Sequence, residues 1–265
     1  MKIIQGTFDP ITQEELEYLL KYRKKNQIKT LYVSVINEGV LSKDQRYDLL
    51  KRCFQPYKYL CVYKGNKQKE DLPSIYLEGE EKVRHGSFYL ASHGIKKILN
   101  EHGYYYGEIA KYLCNEHRYL HSVSVAETAQ KLAEMHHLDS TIAYRMGLLH
   151  DITKRWTDDQ GEQLLKIYQK DCLKYDPKVW HSFTAPIFIQ KNLCLYDKTI
   201  YNAIWHHTLG DGNSDYDHIL YIADKIEPLR GYDTTKEWEL CKISLKQAAH
   251  YVLEQSNAYR NKMEK

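Results

Sequence analysis

The stretch GLLHDITK, residues 147–154, places a histidine and an aspartate side by side at the end of an apolar run. The run predicts a buried helix, so His150 and Asp151 are expected in or beside the protein core. A buried polar group without a partner costs about 1–3 kcal/mol, and a buried charge without one costs more. A metal ion is one partner that satisfies both side chains at once.

Four further positions place a potential metal ligand at the edge of an apolar helical stretch. Each of these residues alone is more often an ordinary core or surface residue, but the adjacent His-Asp pair favours a shared site for the whole set. Imidazole and carboxylate donors suit iron, manganese, zinc or nickel. The further candidates are His121 in YLHSVSVA, His181 in WHSFTA, His207 in AIWHHTLG and Asp224 in LYIADKIEP.

The other histidines of this half of the chain lie in polar surroundings, and we interpret them as surface residues. At the HH pair, the sequence leaves open whether His206 or His207 faces inward. The residues interpreted as surface are His117, His136, His137, His218 and His250.

Composition narrows the class of protein. The chain has 265 residues, 43% of them apolar and 28% charged, which is enough to bury one large core or two modest ones. No apolar run approaches the roughly 18 residues of a membrane helix, and the start of the chain lacks a secretion signal. A formal charge of +3 is too small to indicate nucleic-acid binding. Six cysteines without a CxxC pair indicate a reducing compartment, so we expect a cytoplasmic protein with no membrane or nucleic-acid partner.

The first part of the chain alternates strand and helix patterns. Strands are predicted at MKII (1–4), KTLYVSVI (29–36) and YKYLCVYK (57–64). The helix after the first strand starts with a capping-box pattern of Thr12 and Glu15. Strands that alternate with helices imply a parallel sheet.

The second part of the chain shows helical periodicity only. The polar stretch 65–74 interrupts the alternating pattern, and from about residue 87 nothing resembles a strand. Helical stretches include residues 107–137 and a long last helix after Tyr232. We therefore predict two domains: an α/β Rossmann-like domain over residues 1–106 and an all-α helical bundle over residues 107–265.

The candidate ligands carry a resemblance to a known family. The series His121, His150-Asp151 and Asp224 resembles the defining pattern of the HD-domain metal-dependent phosphohydrolases. More narrowly, the stretches around these residues resemble, in order and spacing, the bacterial YqeK-type family of symmetrical diadenosine tetraphosphate hydrolases. The similarity covers nearly all of residues 115–235, and its most specific part is ADKIEP with the following Arg230.

The resemblance implies a centre of one or two divalent ions, with iron preferred and manganese, cobalt, nickel or zinc as alternatives. It implies that Asp151 is shared between the ions, and that His181 and His207 serve a second ion or the substrate phosphates. The ligands implied for the first ion are His121, His150, Asp151 and Asp224.

The resemblance also implies which residues meet the substrate. Lys154, Thr208 and Arg230 match family positions that contact nucleotide phosphates. The implied substrate-binding residues are His121, Lys154, His181, His207, Thr208 and Arg230, and those implied to act in catalysis are Asp151, Lys154, His181 and His207.

The chemistry of phosphoanhydride cleavage agrees with a metal centre. Crowded negative charge repels hydroxide, so a catalyst must supply a nucleophile at neutral pH and positive charge around the phosphorus. Divalent ions do both. Lys154, predicted one turn from Asp151 on the same helix face, and Arg230 can neutralise the flanking phosphates. We therefore expect metal-bound hydroxide to attack a phosphate next to the central bridge of diadenosine tetraphosphate, so that two ADP molecules leave.

The front domain resembles a different family. GTFDPITQEEL (6–16) is similar to the first motif of the nicotinate mononucleotide adenylyltransferases, and Arg84 falls where that family's closing motif has arginine. The two histidines that stabilise the triphosphate in that family are replaced here by Thr12 and Glu15, which cannot do so. The domain also looks shortened. We therefore expect a degenerate nucleotidyltransferase-like domain without adenylyl transfer. Weak nucleotide binding, a scaffold for a homodimer and a cover for the other domain are the roles left open.

Three alternatives to symmetrical dinucleotide hydrolysis remain at this point. An HD phosphohydrolase could act on another nucleotide, although the ADKIEPLR stretch argues against it. A bifunctional protein could keep residual nicotinate mononucleotide adenylyltransferase activity. Thr12 and Glu15 argue against this alternative, because they replace the two histidines of the transferase motif. A non-catalytic nucleotide sensor would bind ADP tightly without turnover, whereas a complete ligand set predicts turnover.

Overall fold

The computed structural model describes residues 1–65, 74–75 and 78–263, and the chain divides into two compact units. The first unit comprises Met1–Tyr105 with Lys191–Leu195, and the second comprises Tyr106–Gln190 and the chain from Tyr196 onward. All strands of the described residues lie in the first unit, and the second unit is helical. The predicted architecture of an α/β part followed by an all-α part is therefore confirmed. The predicted domain boundary lies one residue beyond this division.

A parallel sheet forms the centre of the first unit. Its strands are β1 (Lys2–Gly6), β2 (Leu31–Val35), β3 (Leu60–Val62) and β4 (Ser74–Ile75). The order across the sheet is β3-β2-β1-β4, and Lys2 of β1 is in register with Leu31 of β2. The GTFDP loop follows β1 directly and therefore lies at the carboxyl end of one of the two inner strands.

The first unit has four described helices, and the first of them begins at the predicted cap. They are α1 (Gln13–Lys25), α2 (Lys43–Phe54), α3 (Gly79–Arg84) and α4 (Lys96–His102). The Thr12 hydroxyl accepts a hydrogen bond from the backbone N–H of Glu15, and the Glu15 carboxylate accepts one from the backbone N–H of Thr12. The predicted capping box is therefore confirmed. Leu16 and Leu19 are buried below it.

The three predicted strands are present with shifted bounds, since β1 begins and ends later than predicted and β2 spans five residues of the predicted eight. The strand β3 spans three residues, fewer than the eight of the predicted stretch. The strand β4 was not predicted, because two residues are too short to show an alternating pattern. Most of the polar stretch 65–74, from residue 66 to residue 73, lies outside the described residues.

The second unit packs helices around a core of three. Its helices are α5 (Tyr106–Leu113), α6 (Glu116–Met135), α7 (Ser140–Leu149), α8 (Asp158–Tyr168), α9 (His181–Asn192), α10 (Lys198–His206), α11 (Asp215–Ile226), α12 (Thr235–Ile243) and α13 (Leu245–Met263). The helices α6, α7 and α11 contact one another. A Cβ at Gly147 would lie 2.6 Å from the Cα of Ala126, so glycine is what allows α7 to approach α6 this closely. This approach brings the end of α7 to the middle of α6.

Two predicted helices are each divided in the structure. The stretch 107–137 breaks before α6, where the Asn115 side chain accepts a hydrogen bond from the backbone N–H of Arg118 and caps a new helix. The last helix breaks at Ser244, whose backbone is extended. Hydrophobic periodicity continues across both breaks, so it did not reveal them. Among the described helices, none combines the length and the apolar character that crossing a membrane requires.

Candidate metal centre

Six side chains from five segments of the second unit converge at the carboxyl end of α7. All six are buried, with exposed fractions between 0% and 7%. His121 lies on α6, His150 and Asp151 follow α7, His181 begins α9, His207 follows α10, and Asp224 lies on α11. These are the six residues that the sequence predicted to form one site.

The Asp151 carboxylate lies between two groups of imidazoles. Its Oδ1 is 3.3 Å from Nε2 of His181 and 3.8 Å from Nε2 of His207. Its Oδ2 is 3.5 Å from Nε2 of His150 and 4.0 Å from Nε2 of His121. Each group offers three ligand atoms that lie within 4.8 Å of one another, and Asp151 belongs to both. One carboxylate can therefore serve two adjacent ligand sets.

The Asp224 carboxylate closes the side nearest α6. Its Oδ1 is 3.1 Å from Nε2 of His121 and 3.8 Å from Nε2 of His150. Burial alone would raise the pKa of Asp224, but the Lys225 ammonium and the nearby imidazoles, together with Arg230, hold that pKa well below its usual value. The carboxylate is therefore ionised at neutral pH.

Hydrogen bonds on the far side of the rings aim three imidazoles at the centre. The Nδ1 atoms of His150 and His207 each donate to a backbone carbonyl at 2.6 Å, and Nδ1 of His121 donates to Oε1 of Glu227 at 3.0 Å. A bond at Nδ1 fixes the tautomer and leaves Nε2 as the metal-binding atom. Glu227 is itself buried.

The donor set fits a divalent cation. Within the described part of the chain, the buried Nε2 atoms of His121 and His150 have no hydrogen-bond partner. A buried polar atom left unsatisfied is unfavourable, and a cation bound by these nitrogens removes that penalty. The four nitrogens and two carboxylates contain no sulfur ligand, which suits imidazole- and carboxylate-binding metals.

Burial sets the protonation states that a metal needs. Burial alone would raise the pKa of the Asp151 carboxyl, but His150, His207 and His181 hold that pKa well below its usual value. Desolvation lowers the pKa of His150 to about 4, and it lowers that of His181 well below its ordinary value. At neutral pH the ionised Asp151 carboxylate therefore faces neutral His150 and His181 rings, and these are the forms of both residue types that bind metals. Although burial lowers the pKa of His121, Asp224, Glu227 and Asp151 raise it above its ordinary value, so a metal must displace a proton at that ring.

The predicted phosphate-contacting residues surround the centre. The ammonium of Lys154 lies 3.1 Å from both ring nitrogens of His181. The Thr208 hydroxyl lies 3.2 Å from Nε2 of His181 and the same distance from Nε2 of His207. Arg230 donates from Nη2 to Oδ1 of Asp224 at 2.8 Å. All three polar groups lie next to a member of the ligand set.

The prediction that Lys154 shares a helix face with Asp151 is wrong. The helix α7 ends at Leu149, and residues 151–155 form turns in which the backbone N–H of Lys154 donates to the carbonyl of Asp151 at 2.9 Å. The turn still directs Lys154 to the centre, because its ammonium reaches His181.

The structure also resolves the assignment of the other histidines. His207 is buried, whereas His206 is partly exposed and donates to the Asp211 carboxylate at 2.7 Å, so the inward residue of the pair is His207. The prediction that His218 lies on the surface is wrong, because it is buried and its Nδ1 donates to the Ser214 carbonyl within α11. The polar residues around His218 belong to the helix cap rather than to an exposed face.

Sequence reasoning missed three charged residues that contact the centre. Arg118 donates to Oδ2 of Asp151 at 2.7 Å, Lys225 donates to Oδ2 of Asp224 at 2.6 Å, and Glu227 accepts from His121. Arg118 precedes His121 by three residues on α6, a spacing that places both on one helix face. That spacing is the signal that could have identified Arg118.

Two cavities of the second unit adjoin the centre. The larger has a volume of about 890 Å³, and its wall includes Thr208, Lys225 and Arg230 together with residues of α13. The smaller has a volume of about 540 Å³, and its wall includes Lys154 and His181. Each cavity therefore shares residues with the centre or with its direct partners.

Comparison with known proteins places these features in a family. The HD domain family model matches residues 118–229. The Bacillus subtilis protein named "Bis(5'-nucleosyl)-tetraphosphatase, symmetrical" is 32% identical over 137 residues, which cover 50% of this chain and 74% of that protein. A protein of the same name from Staphylococcus aureus is 35% identical over 127 residues, covering 46% of this chain and 64% of that protein.

Two further relatives extend the comparison. A Mycoplasma pneumoniae protein named "Probable nicotinate-nucleotide adenylyltransferase/Ap4A hydrolase" is 32% identical over 164 residues, or 58% of this chain, and the match spans only 47% of that longer protein. The crystal structure of a "predicted HD superfamily hydrolase involved in NAD metabolism" from Clostridium acetobutylicum superposes with a TM-score of 0.53 at 26% identity, covering 60% of this chain and 88% of that one.

Proposed function

The chain belongs to the HD-domain family of symmetrical bis(5'-nucleosyl)-tetraphosphatases, and on that premise we propose that its helical unit hydrolyses diadenosine tetraphosphate to two ADP. The observation that carries the proposal is the convergence of four imidazoles and two carboxylates on one buried point, with Asp151 common to both ligand groups. Related dinucleoside polyphosphates fall within the same proposal, because the centre recognises phosphates rather than bases.

We propose iron as the bound metal, with manganese, cobalt, nickel or zinc as competitors for the same donors. His121, His150, Asp151 and Asp224 would hold the first ion, and a second ion or the substrate phosphates would meet His181 and His207. A divalent ion in this donor set supplies Lewis-acid activation of water and of a phosphoryl oxygen.

The side chains around the ligands contribute positive charge. Lys154 and Arg230 would bind the phosphates that flank the bond to be broken, and Thr208 would donate its hydroxyl to a phosphoryl oxygen. Arg118 and Lys225, which pair with the two carboxylates of the centre, lie close enough to add to this charge. Charge neutralisation is the contribution that matters most here, because the leaving ADP departs as an anion and needs little protonation.

Hydrogen bonds hold this arrangement in place before the substrate arrives. The Nδ1 bonds of His150 and His207 to backbone carbonyls fix the orientation of both rings, and the Thr153 hydroxyl, which lies 2.8 Å from that of Thr184, packs beside the start of α9. A site whose groups are already oriented loses less free energy to reorganisation during the reaction.

The test of the function is a product analysis. The protein is purified without chelator, its metal content is measured, and it is incubated with diadenosine tetraphosphate before separation of the products. We expect two equivalents of ADP for each substrate consumed. Formation of ATP with AMP would contradict symmetrical cleavage, and tight ADP binding without turnover would instead support a nucleotide sensor.

Hydrolysis of another nucleotide by the same centre is tested in parallel. Deoxynucleoside triphosphates, a nucleoside monophosphate and a guanosine alarmone are supplied at equal concentration. We expect diadenosine tetraphosphate to have the highest kcat/KM of the set, and faster turnover of any of the others would assign the centre to that substrate.

We propose that the first unit does not transfer adenylyl groups, although two relatives carry adenylyltransferase in their names. Thr12 and Glu15, which replace the two histidines of the transferase motif, are both buried and engaged in capping α1. The wall of the cavity beside the GTFDP loop contains the acidic residues Asp9, Glu38, Glu78, Glu80 and Glu81 together with Arg84. Its carboxylates outnumber its cation, so the wall disfavours the phosphates of ATP. An assay with nicotinate mononucleotide and ATP should yield no dinucleotide.

We also propose a cytoplasmic location. All six cysteines are free thiols in the structure, which is the usual state of cysteines in a reducing compartment.

A further inference from the structure

We infer that the cavity beside Lys154 and His181 is a nucleoside subsite, which receives one of the two adenosine ends of the dinucleotide. We name it the indole cavity, after Trp156 and Trp180 in its wall. The inference rests on the proposed function and adds to it how the chain selects a dinucleotide over a mononucleotide.

The proposed substrate requires space on two sides of the reacting phosphates. Symmetrical cleavage breaks the middle of the molecule, so an ADP half extends away from the centre in each direction. The structure has one cavity beside Thr208, Lys225 and Arg230 and another beside Lys154 and His181. If one ADP half occupies the first cavity, the other ADP half needs a second binding space. The indole cavity provides that space, because it lies next to Lys154, the remaining phosphate-binding group.

The size and shape of the indole cavity suit a nucleoside. Its volume of about 540 Å³ lies within the range of roughly 300–1,000 Å³ that small-molecule sites have. Its walls come from the turn after α7, the start of α8 and the segment before α9. All of these segments belong to the second unit, so the subsite does not depend on the first unit.

Two indole rings supply the surface on which a base can stack. Nε1 of Trp180 donates to the Tyr175 carbonyl at 2.9 Å, and a Cβ at Gly161 would lie 3.3 Å from the Trp180 ring. Trp156 packs edge-on against Phe188, with ring centroids 5.9 Å apart. Both rings are half-buried and held by these contacts. A stacking surface that is already ordered binds a base without losing further side-chain entropy.

The polar groups of the indole cavity match the remaining parts of the ligand. Lys154 lies between the cavity and the centre, where its ammonium can contact a phosphate that leads from the reacting position to the base. Lys178 also lines the cavity, and its backbone carbonyl accepts a hydrogen bond from the Lys154 ammonium at 3.2 Å. Asp158 is an exposed residue of the wall, and its carboxylate can accept a hydrogen bond from a ribose hydroxyl or an exocyclic amino group.

The experiment compares a dinucleotide with a mononucleotide in variants of one indole. Trp156→Ala removes the stacking surface, Trp156→Leu keeps apolar bulk without the ring, and Trp156→Phe restores an aromatic ring. The ligands are a diadenosine tetraphosphate analogue with a methylene group in the central bridge and adenosine 5'-tetraphosphate, and their affinities are measured by calorimetry. Hydrolysis of diadenosine tetraphosphate is followed with the same proteins.

We expect Trp156→Ala and Trp156→Leu to weaken binding of the dinucleotide analogue roughly 10-fold, which is typical for loss of one base-stacking ring. Adenosine 5'-tetraphosphate should bind each variant within about 2-fold of wild type, because its single base can use the other cavity. Trp156→Phe should recover most of the dinucleotide affinity. The control Trp238→Ala removes an indole of α12 that lines neither cavity, and it should leave both affinities unchanged.

The outcomes separate this inference from the proposed function. If wild type forms two ADP and Trp156→Ala binds and hydrolyses the dinucleotide as wild type does, the subsite is refuted while the function stands. Equal weakening of both ligands would also refute it, because the indole would then be a general structural element. If wild type forms no ADP from diadenosine tetraphosphate, the proposed function fails and the subsite fails with it.

Discussion

At the scale of single residues, Asp151 is a buried carboxylate that needs favourable neighbours to stay charged. It is almost fully buried, and its two oxygens face the four imidazoles of the centre from two sides while Oδ2 also accepts from Arg118. A carboxylate in this position is favourable only because positive charge and metal-binding nitrogens surround it. Loss of this carboxylate therefore leaves Arg118 and the four imidazoles without the negative charge that they surround.

Replacement of Asp151 by alanine should abolish both bound metal and turnover. The variant removes the carboxylate that both ligand groups share, so neither group remains complete. Metal content measured by elemental analysis should fall to background, ADP formation should be undetectable, and the helical circular dichroism signal should persist. The control Asp171→Ala changes an exposed aspartate of the same unit. Retained activity in Asp151→Ala would count against the assignment.

Glu227 acts on the metal ligands through another residue, because its Oε1 accepts from Nδ1 of His121. The same oxygen lies 3.7 Å from Nε of Arg230. Glu227→Gln keeps an acceptor for that bond but removes the charge that raises the basicity of the ring. Changes to such outer partners typically cost about 10–100-fold in metal affinity. We expect a loss of that size in chelator-competition titrations.

A matched control distinguishes this effect from a general change of charge. Glu134→Gln alters an exposed glutamate of α6, the helix that carries His121, and should leave metal affinity unchanged. If Glu227→Gln also binds metal as wild type does, the hydrogen bond to His121 has no role in positioning the ligand.

At the scale of helices and strands, caps decide where the ligands are placed. The Ser214 hydroxyl accepts from the backbone N–H of Asp217 and starts α11, which carries Asp224 ten residues later. The helix α7 stops one residue before His150, and α9 begins at His181. The ligands therefore lie at or near helix ends, where a side chain can leave the helix surface and face a shared point.

Loss of the α11 cap should reduce stability without changing the ligand set. Ser214→Ala should lower the free energy of unfolding of the helical unit by about 1 kcal/mol, because an orphan backbone N–H is left at the first turn. Denaturant unfolding followed by circular dichroism measures the change. The control Ser140→Ala leaves the Asp139 cap of α7 in place and should have a smaller effect. An unchanged unfolding midpoint in Ser214→Ala would show that the cap is not needed.

The helix α1 carries a carboxylate that opposes folding at neutral pH. Burial and the neighbouring Glu80 carboxylate raise the pKa of Glu15 well above its ordinary value. A raised pKa in the folded state means that the folded protein binds this proton more tightly than the unfolded chain does. Stability from this group is therefore present at low pH and is lost as the pH rises through the raised pKa.

Replacement of Glu15 by glutamine should remove that loss. The amide oxygen of Glu15→Gln can still accept from Thr12, so the cap stays while the buried charge disappears. We expect the variant to be more stable than wild type at pH 7 and similar at about pH 4, where the wild-type carboxyl is protonated. Unfolding curves at several pH values measure this, with Glu17→Gln as an exposed control on the same helix. Parallel pH profiles for wild type and Glu15→Gln would contradict the interpretation.

At the scale of the whole molecule, the chain joins two units that differ in what stabilises them. In the first unit, Asp9 in the loop after β1 accepts from the Tyr105 hydroxyl at 2.6 Å. Arg46 of α2 is buried and donates to the carbonyl of Thr7 in the same loop. The second unit has the proposed metal centre at the meeting point of its helices. Removal of metal should therefore affect only one of them.

Chelation should lower the unfolding temperature of the second unit alone. A ligand that binds only the folded state at 100 times its Kd stabilises it by about 2.7 kcal/mol. Differential scanning calorimetry with chelator, and then with excess divalent iron or manganese, should show one transition that moves and one that does not. Equal shifts of both transitions, or no shift, would contradict a metal site confined to the helical unit.

Much of the molecule could be predicted from local patterns. The alternation of strands and helices, the Thr12 capping box and the six candidate ligands were all read from short stretches, because each depends on residues a few positions apart. The strand β4, the breaks at Asn115 and Ser244, and the burial of His218 could not be predicted in this way. They depend on which segments pack together, and hydrophobic periodicity continues unchanged across them.

The sequence by itself determined the type of protein: an α/β part, a helical part, and a set of histidines and aspartates with the order and spacing of the HD family. Only the tertiary structure decided that His207 rather than His206 faces inward, that Lys154 reaches His181 from a turn, and that Arg118 belongs to the centre. The physical reason is that ligand type is a local chemical property, whereas convergence depends on helix ends brought together by packing, such as the close approach of α7 to α6 at Gly147.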